Sequence, residues 1–458
     1  MGIAGRWQAV TLIAVSMMLL AFACLVRATP SSEVEVIAPI AGSHLGASSC
    51  AGSTCHGRQE ATGAIVRQDE LKIWQDDSSP AGAHSRAWQV LAEPRAQAIG
   101  AKLGIGDPRS APTCLGCHSD VIAGGGFHRS DGVGCEACHG GAKDWLASHY
   151  AVGASHAQNV SRGMVPLDQP RARAAVCLDC HYGSARPGQF VDHRIMAAGH
   201  PRLAFELDLF STMEKHWNED ADYVHRKHAP SAAILWAVGQ AQALDRALTL
   251  YASPARGQEG AFPEFYFFDC QSCHRRISDA PDFRPSALAN PGRALPLGTP
   301  PFQDENMIML TAAARVAAPD LATRLSLDSL AFHKALTQGR EPAVSAGMRL
   351  RETARLLAER FSGAPIGPQA SFAMIAALAD AVTMPRYTDY EGSTQAVMAI
   401  DTLLSGLTDS GAVSRAAASG IRPDIDRAYA AVKNPNSYQP LVFREAIAHA
   451  AGAIGALK

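Results

Sequence analysis

From residue 275 to its end the chain contains no cysteine, and only His333 and His449 supply imidazole there. A metal or covalent cofactor site built from those residue types is excluded from that stretch. Charge of one sign is lacking too. The 41 Lys and Arg nearly balance 43 Asp and Glu, for a net charge of -2, which removes the basic surface that nucleic-acid binding requires. Strand alternation is also scarce before residue 275, where short stretches rich in Gly, Ala, Ser and Asp separate the few periodic segments. What this first part has instead is all eleven cysteines of the chain and fifteen of its seventeen histidines.

Ten of those cysteines stand in pairs just ahead of a histidine: Cys50/Cys55/His56, Cys114/Cys117/His118, Cys135/Cys138/His139, Cys177/Cys180/His181 and Cys270/Cys273/His274. Zinc sites, redox dithiols and disulfides do not require a histidine directly after the second cysteine. Covalent attachment of haem c does. Two thiols add to the two haem vinyl groups, and the adjoining imidazole becomes the proximal ligand of the iron. Four copies have a two-residue gap. The first, CAGSTCH, has four, a rarer variant that Gly52 and Ser53 make flexible enough to bulge. Five haems per chain are expected.

The eleventh cysteine, Cys24, lies in an apolar run over 9–26 that follows Arg6 and precedes Val26-Arg27-Ala28. This reads as an export signal over 1–28, cleaved before Thr29. An uncleaved anchor that tethers the protein to a membrane is the alternative. Either way the body is expected outside the cytoplasm, in the periplasm, where haem c is attached.

Four segments follow from these limits: the leader over 1–28, a pentahaem domain over 29–278, a Pro-rich strap over 279–303, and a helical domain without haem over 304–458. The strap carries Pro281, Pro285, Pro291, Pro296, Pro300 and Pro301, a density that no regular element survives. Beyond it the period becomes helical. Leu321, Leu325, Phe332 and Leu336 share a face after Pro319-Asp320, with His333 beside it as a bundle residue. Ala343, Gly347, Leu350, Ala354, Leu357 and Phe361 form a second stripe, closed by Gly363. Further helices are expected near 369–383, 393–407 and 440–457, making a C-terminal bundle that folds alone when started near Gln303. The fold class is therefore mainly α. Roughly 230 residues serving five haems cannot bury an ordinary apolar core, so the porphyrins serve as the core, wrapped by short helices and loops. The one long periodic stretch there, Ser231 to Tyr251, is helical.

Ten histidines between residues 44 and 228 lie outside the attachment motifs. A surplus confined to the haem region predicts distal ligation and low-potential bis-histidine iron. His84, His149 and His200 are the leading candidates, then His193. His128 is taken for the fifth iron from a group that also holds His44, His156, His216, His225 and His228. Met164, Met196 and Met213 are the methionine alternatives.

The segments DGVGCEACHGGAKDWLASH, DHRIMAAGHPRLAFEL and FPEFYFFDCQSCHRR resemble multihaem cytochromes of the superfamily that includes hydroxylamine oxidoreductase and the tetrahaem electron-acceptor cytochrome of ammonia oxidisers. The resemblance spans about residues 48–300. It implies a mainly helical fold with closely packed haems and assigns the distal role to His84, His149 and His200. The haem-free C-terminal part departs from it.

Two function classes remain. One is an electron-transfer protein working between redox partners, such as other cytochromes or a membrane quinol oxidase or reductase docked on the bundle. The other is an oxidoreductase acting on a small nitrogen or sulfur compound at one open iron. Pentahaem nitrite reductases attach the active haem through a motif ending in lysine, whereas every motif here ends in histidine. Histidines outnumber irons, and nothing marks Tyr251 or Tyr266 for a crosslink, so electron transfer is the expected function and no catalytic residue is assigned. Each haem also adds two propionates. Arg173, Arg194 or Arg202 are expected to pair with some of them, leaving an acidic exit suited to a basic partner.

Overall fold

Short helices with long irregular connections hold the five motifs, and long helices follow. This is the arrangement in a computed structural model that describes residues 43–458 apart from 62–66, 121–127, parts of 218–228, 259–263, 271–272, nearly all of 275–298 and 385–388. The leader, His225, His228 and almost all of the strap fall outside the described residues. From Ile40 onward the chain forms one compact unit.

The motif-bearing part contains α1 (Glu70–Trp74), α2 (Pro94–Leu103), α3 (Pro112–His118), α4 (Cys135–His139), α5 (Leu146–His149), α6 (His156–Ser161), α7 (Pro170–His181), α8 (His193–Ala198) and α9 (Leu207–Met213). Then come α10 (Ala232–Ala252), α11 (Pro254–Gly257), α12 (Glu305–Ala317), α13 (Pro319–Leu336), α14 (Arg340–Gly363), α15 (Pro368–Val382), α16 (Tyr390–Asp409), α17 (Arg415–Ala431) and α18 (Pro440–Gly455). The fold is mainly helical. No strand occurs among the described residues, only an antiparallel bridge between Phe268 and Phe302. None of their helices is long and apolar enough to cross a membrane.

Helix starts follow local chemistry. Proline takes the first turn of α2, α3, α7, α13, α15 and α18, where its missing N–H costs nothing. Side-chain oxygens of Asp192, Ser231, Asp389 and Ser414 accept from backbone N–H groups at the starts of α8, α10, α16 and α17.

The two halves are stabilised differently. In the motif-bearing half the apolar clusters are small: Ala142, Trp145 and Met164 in one, and Ala174, Leu178, Phe205 and Leu207 in another, which Leu235 and Ala243 of α10 complete. The large core belongs to α10 and the C-terminal helices. Helix α10 is buried on every side, with Trp236, Ala237, Val238 and Ala241 fully inaccessible, and it packs against α7, α9, α12, α14 and α16. An aromatic stack joins the halves. Phe302 lies edge-on to Phe332 at 4.9 Å and to Tyr251 at 5.6 Å, and parallel to Phe267 at 6.3 Å.

Polar bonds reinforce the seam. Gln240 of α10 donates to Gln395 at 3.0 Å and accepts from Asn306 at 2.7 Å, while Gln395 donates to the Phe205 carbonyl. Arg246 reaches back to Asp179, inside the fourth motif, at 2.7 Å and to the Gly183 carbonyl at 2.8 Å. The bundle that the sequence starts at Gln303 thus has its central helix upstream of the strap. A fragment beginning at Gln303 bares the apolar faces that α10 covers. It is expected to melt without a cooperative transition, whereas one that adds residues 231–252 through a flexible linker melts cooperatively, as followed by circular dichroism.

Candidate functional site

Each motif histidine faces a second histidine. The ring centroids are 6.1 Å apart for His56 and His149, 6.4 Å for His118 and His200, 6.3 Å for His139 and His216, 6.0 Å for His181 and His84, and 6.1 Å for His274 and His193. An iron between two imidazole nitrogens at about 2 Å each, with ring centres roughly 1 Å further out, separates the centroids by about 6 Å. The gaps therefore fit one iron apiece, and the residues present fit haem.

The other ring nitrogens are tied elsewhere. Nδ1 of His56 meets Glu70 at 2.9 Å, and Nδ1 of His118 meets the Ala87 carbonyl at 2.8 Å. On the facing side, Nδ1 of His84 meets Glu214 at 2.9 Å, that of His200 the Pro201 carbonyl at 2.7 Å, and that of His216 the Glu214 carbonyl at 3.0 Å. Such bonds occupy Nδ1 and leave Nε2 as the nitrogen available to a metal. Burial pushes the His139 imidazole down to about 3 and that of His181 down to about 4, which keeps both rings in the neutral form that a metal binds. At His56 the bond to Glu70 outweighs burial and raises the value; at His84 burial opposes, but the bond to Glu214 prevails.

The motifs sit close to one another. The Glu136 carboxylate, inside the third motif, accepts from the backbone N–H groups of Leu45, Gly46 and Ala142, binding the approach to the first motif onto the third. The Cys50 thiol lies against that of Cys135, and Cys117 against Cys180. Motif two rests on the turn after motif four, where Gln189 donates to the Gly116 carbonyl at 2.8 Å. A Cβ at Gly116 would stand 2.3 Å from the Gly188 oxygen, so only glycine fits there. An open cavity runs from Thr113, beside motif two, to His193 and Phe265, beside motif five.

Of the distal candidates, His84, His149, His193 and His200 each stand opposite a motif histidine. His128 does not: it is exposed at the start of a short turn, and His216 faces His139 instead. His44 is buried with Nδ1 on Asp120 at 2.5 Å, and His156 meets Asp168 at 3.3 Å. Met164 is buried in the Trp145 cluster, Met196 packs against the main core, and Met213 is exposed. Arg173 donates to the Leu167 carbonyl. Arg202 does not stand free for a propionate; it donates to Gln303 and to Glu305. Glu214, whose side chain holds one distal ring and whose carbonyl holds another, escaped sequence reasoning because nothing local marks it.

A model of the family described as cytochrome c554 and c-prime matches residues 49–140, the span of the first three motifs. No curated protein and no solved structure matches the chain. With the ring pairs, that match supports a multihaem c-type cytochrome, mainly helical, carrying covalently bound haem c and acting in electron transfer.

His216→Ala is expected to leave one iron with water or an open site, turning one haem high-spin and able to bind CO. His128→Ala should leave the optical spectrum unchanged. The comparison is read by difference spectra of the reduced proteins with and without CO.

Proposed function

We propose that the protein is an exported, periplasmic pentahaem cytochrome that passes electrons between redox partners through five bis-histidine haems. The five ring pairs carry this reading. Each gap is sized for an iron, and no motif histidine lacks a facing imidazole. An iron with two strong nitrogen ligands has no position open to substrate, which favours a carrier over an enzyme.

The proximity of the cysteines supports an order. Cys50 against Cys135 supports haem one beside haem three, Cys117 against Cys180 supports haem two beside haem four, and the nearness of Cys138 to Cys177 supports haem three beside haem four. The cavity between Thr113 and His193 supports haem two beside haem five. The proposed route is one, three, four, two, five. Tunnelling falls steeply with distance, so such neighbours exchange electrons quickly. Other cytochromes or a membrane quinol oxidase or reductase are the proposed partners. The superfamily of hydroxylamine oxidoreductase remains the proposed kinship, and the apolar run over 9–26 supports export.

Two measurements test this. Pyridine haemochrome should count five haems per chain, falling to four in the variant with Cys50→Ala and Cys55→Ala. The oxidised protein should give only low-spin EPR signals, in two classes. Rings 19° and 32° apart at haems one and five split the iron d orbitals strongly and give rhombic spectra. Rings 79° to 82° apart at the other three leave those orbitals nearly degenerate and give strongly anisotropic signals. A high-spin haem that binds nitrite, hydroxylamine or sulfite would replace the carrier with an enzyme.

A further inference from the structure

Among the described residues, more carboxylate than cation is buried behind Cys270. Arg202 donates to Gln303 and to Glu305 at 3.0 Å, lies over the Tyr266 ring at 5.4 Å, and points a nitrogen at the Cys270 sulfur at 3.9 Å. Against that one guanidinium stand Glu305, opening α12, and Glu391, in the first turn of α16, both buried. Glu391 lies against the Cys270 sulfur and is faced by Arg202, Asp269, Asp389, Glu305 and the hydroxyls of Tyr390 and Tyr438. One carboxyl oxygen of Glu391 and one of Glu305 are buried without a hydrogen-bond partner. Among the described residues, no group of three or more His, Cys, Asp or Glu is arranged to hold a metal ion. A proton on Glu391 would relieve the repulsion between the two buried carboxylates. Burial, only partly offset by Arg202, pushes the Glu391 carboxyl up to about 8.

The Cys270 thiol stands for a thioether sulfur, bonded to a haem carbon and not to iron. With a haem attached there, Glu391 would border the porphyrin edge without touching an iron ligand. We propose that Glu391, contributed by the haem-free bundle, is the proton acceptor of the fifth haem, so that reduction of this haem is coupled to uptake of one proton. The inference rests on the reading that Cys270, Cys273 and His274 carry a haem. One electron from a neighbouring reduced haem takes ferric iron to ferrous, and one proton from water forms the O–H bond on the Glu391 carboxylate. On reoxidation the electron leaves for an acceptor, the O–H bond breaks and the proton returns to water. Ferric haem carries one more positive charge than ferrous and favours the carboxylate, while ferrous haem favours the acid.

The sign of the pH dependence follows. The potential of the fifth haem falls as pH rises through the interval between the two Glu391 values, and is flat on either side. Spectroelectrochemical titration of the full holo-protein from about pH 6 to about pH 10 should show one such sloping component. It should be missing from the variant with Cys270→Ala and Cys273→Ala. Glu391→Gln is expected to abolish the slope and hold the component at its high plateau, and Glu391→Asp to restore the slope. Glu305→Gln removes a neighbouring negative charge and should move the sloping interval to lower pH. Five haems with no sloping component, or a slope that survives Glu391→Gln, overturns the proton inference and leaves the electron carrier standing. If Glu391→Gln loads fewer haems, an unmoved interval in Glu305→Gln overturns it equally. A count of four haems with Cys270 unmodified overturns the haem reading itself.

Discussion

The separation of facing imidazole rings is the constraint on which the motif-bearing half depends. Two imidazole rings about 6 Å apart attract each other little, and burial, with smaller repulsion from His216 and Lys227, pushes His139 down to about 3. In the proposed bis-histidine arrangement an iron bonded to both rings would supply the cohesion. The surroundings are built for that role. Glu70, Glu214 and three backbone carbonyls hold the outer nitrogens, and the apolar clusters nearby comprise only a few side chains. In this half the cofactor takes the place that leucine and phenylalanine occupy elsewhere.

The C-terminal helices follow the ordinary rule of apolar burial, yet they are not a separate appendage. Their central helix, α10, lies between the fourth and fifth motifs in sequence, and through Arg246 it holds Asp179 inside the fourth. The polar triad of Gln240, Gln395 and Asn306 is buried and hydrogen-bonded, within itself and to the Phe205 carbonyl, which fixes how α10, α12 and α16 sit on one another. A haem-free bundle can thereby set the surroundings of haems it does not carry.

Much of this was legible in the sequence because it is local. The attachment motifs occupy a few consecutive residues each. The stripes from Leu321 to Leu336 and from Ala343 to Phe361 repeat at helical spacing, and α13 and α14 follow them closely. Two C-terminal helices were not read. Helix α12 starts at Glu305, just past the proline-dense strap that hides its N-terminal signal, and α17 contains Pro423, a residue that argues against a helix. Distal pairing is non-local. His216 lies 77 positions from His139 and looks no more like a ligand than His128, which is closer in sequence but stays at the surface. The partners of Arg202 were equally hidden, since Gln303 and Glu305 lie about a hundred residues downstream.

The place of α10 in the chain imposes an order of assembly. Polypeptides emerge from their N-terminus, and α10 is enclosed by helices formed from residues 305–409. The first four motifs are thus synthesised well before the helices that lock them from behind exist. The fifth is different. Its segment is tied to the start of the bundle by the Asp269 amide donating to the Pro301 carbonyl and the Gln303 amide donating to the Phe267 carbonyl. A haem attached at Cys270 and Cys273 would therefore sit where the motif-bearing half meets the start of the bundle, and would act as a latch between them.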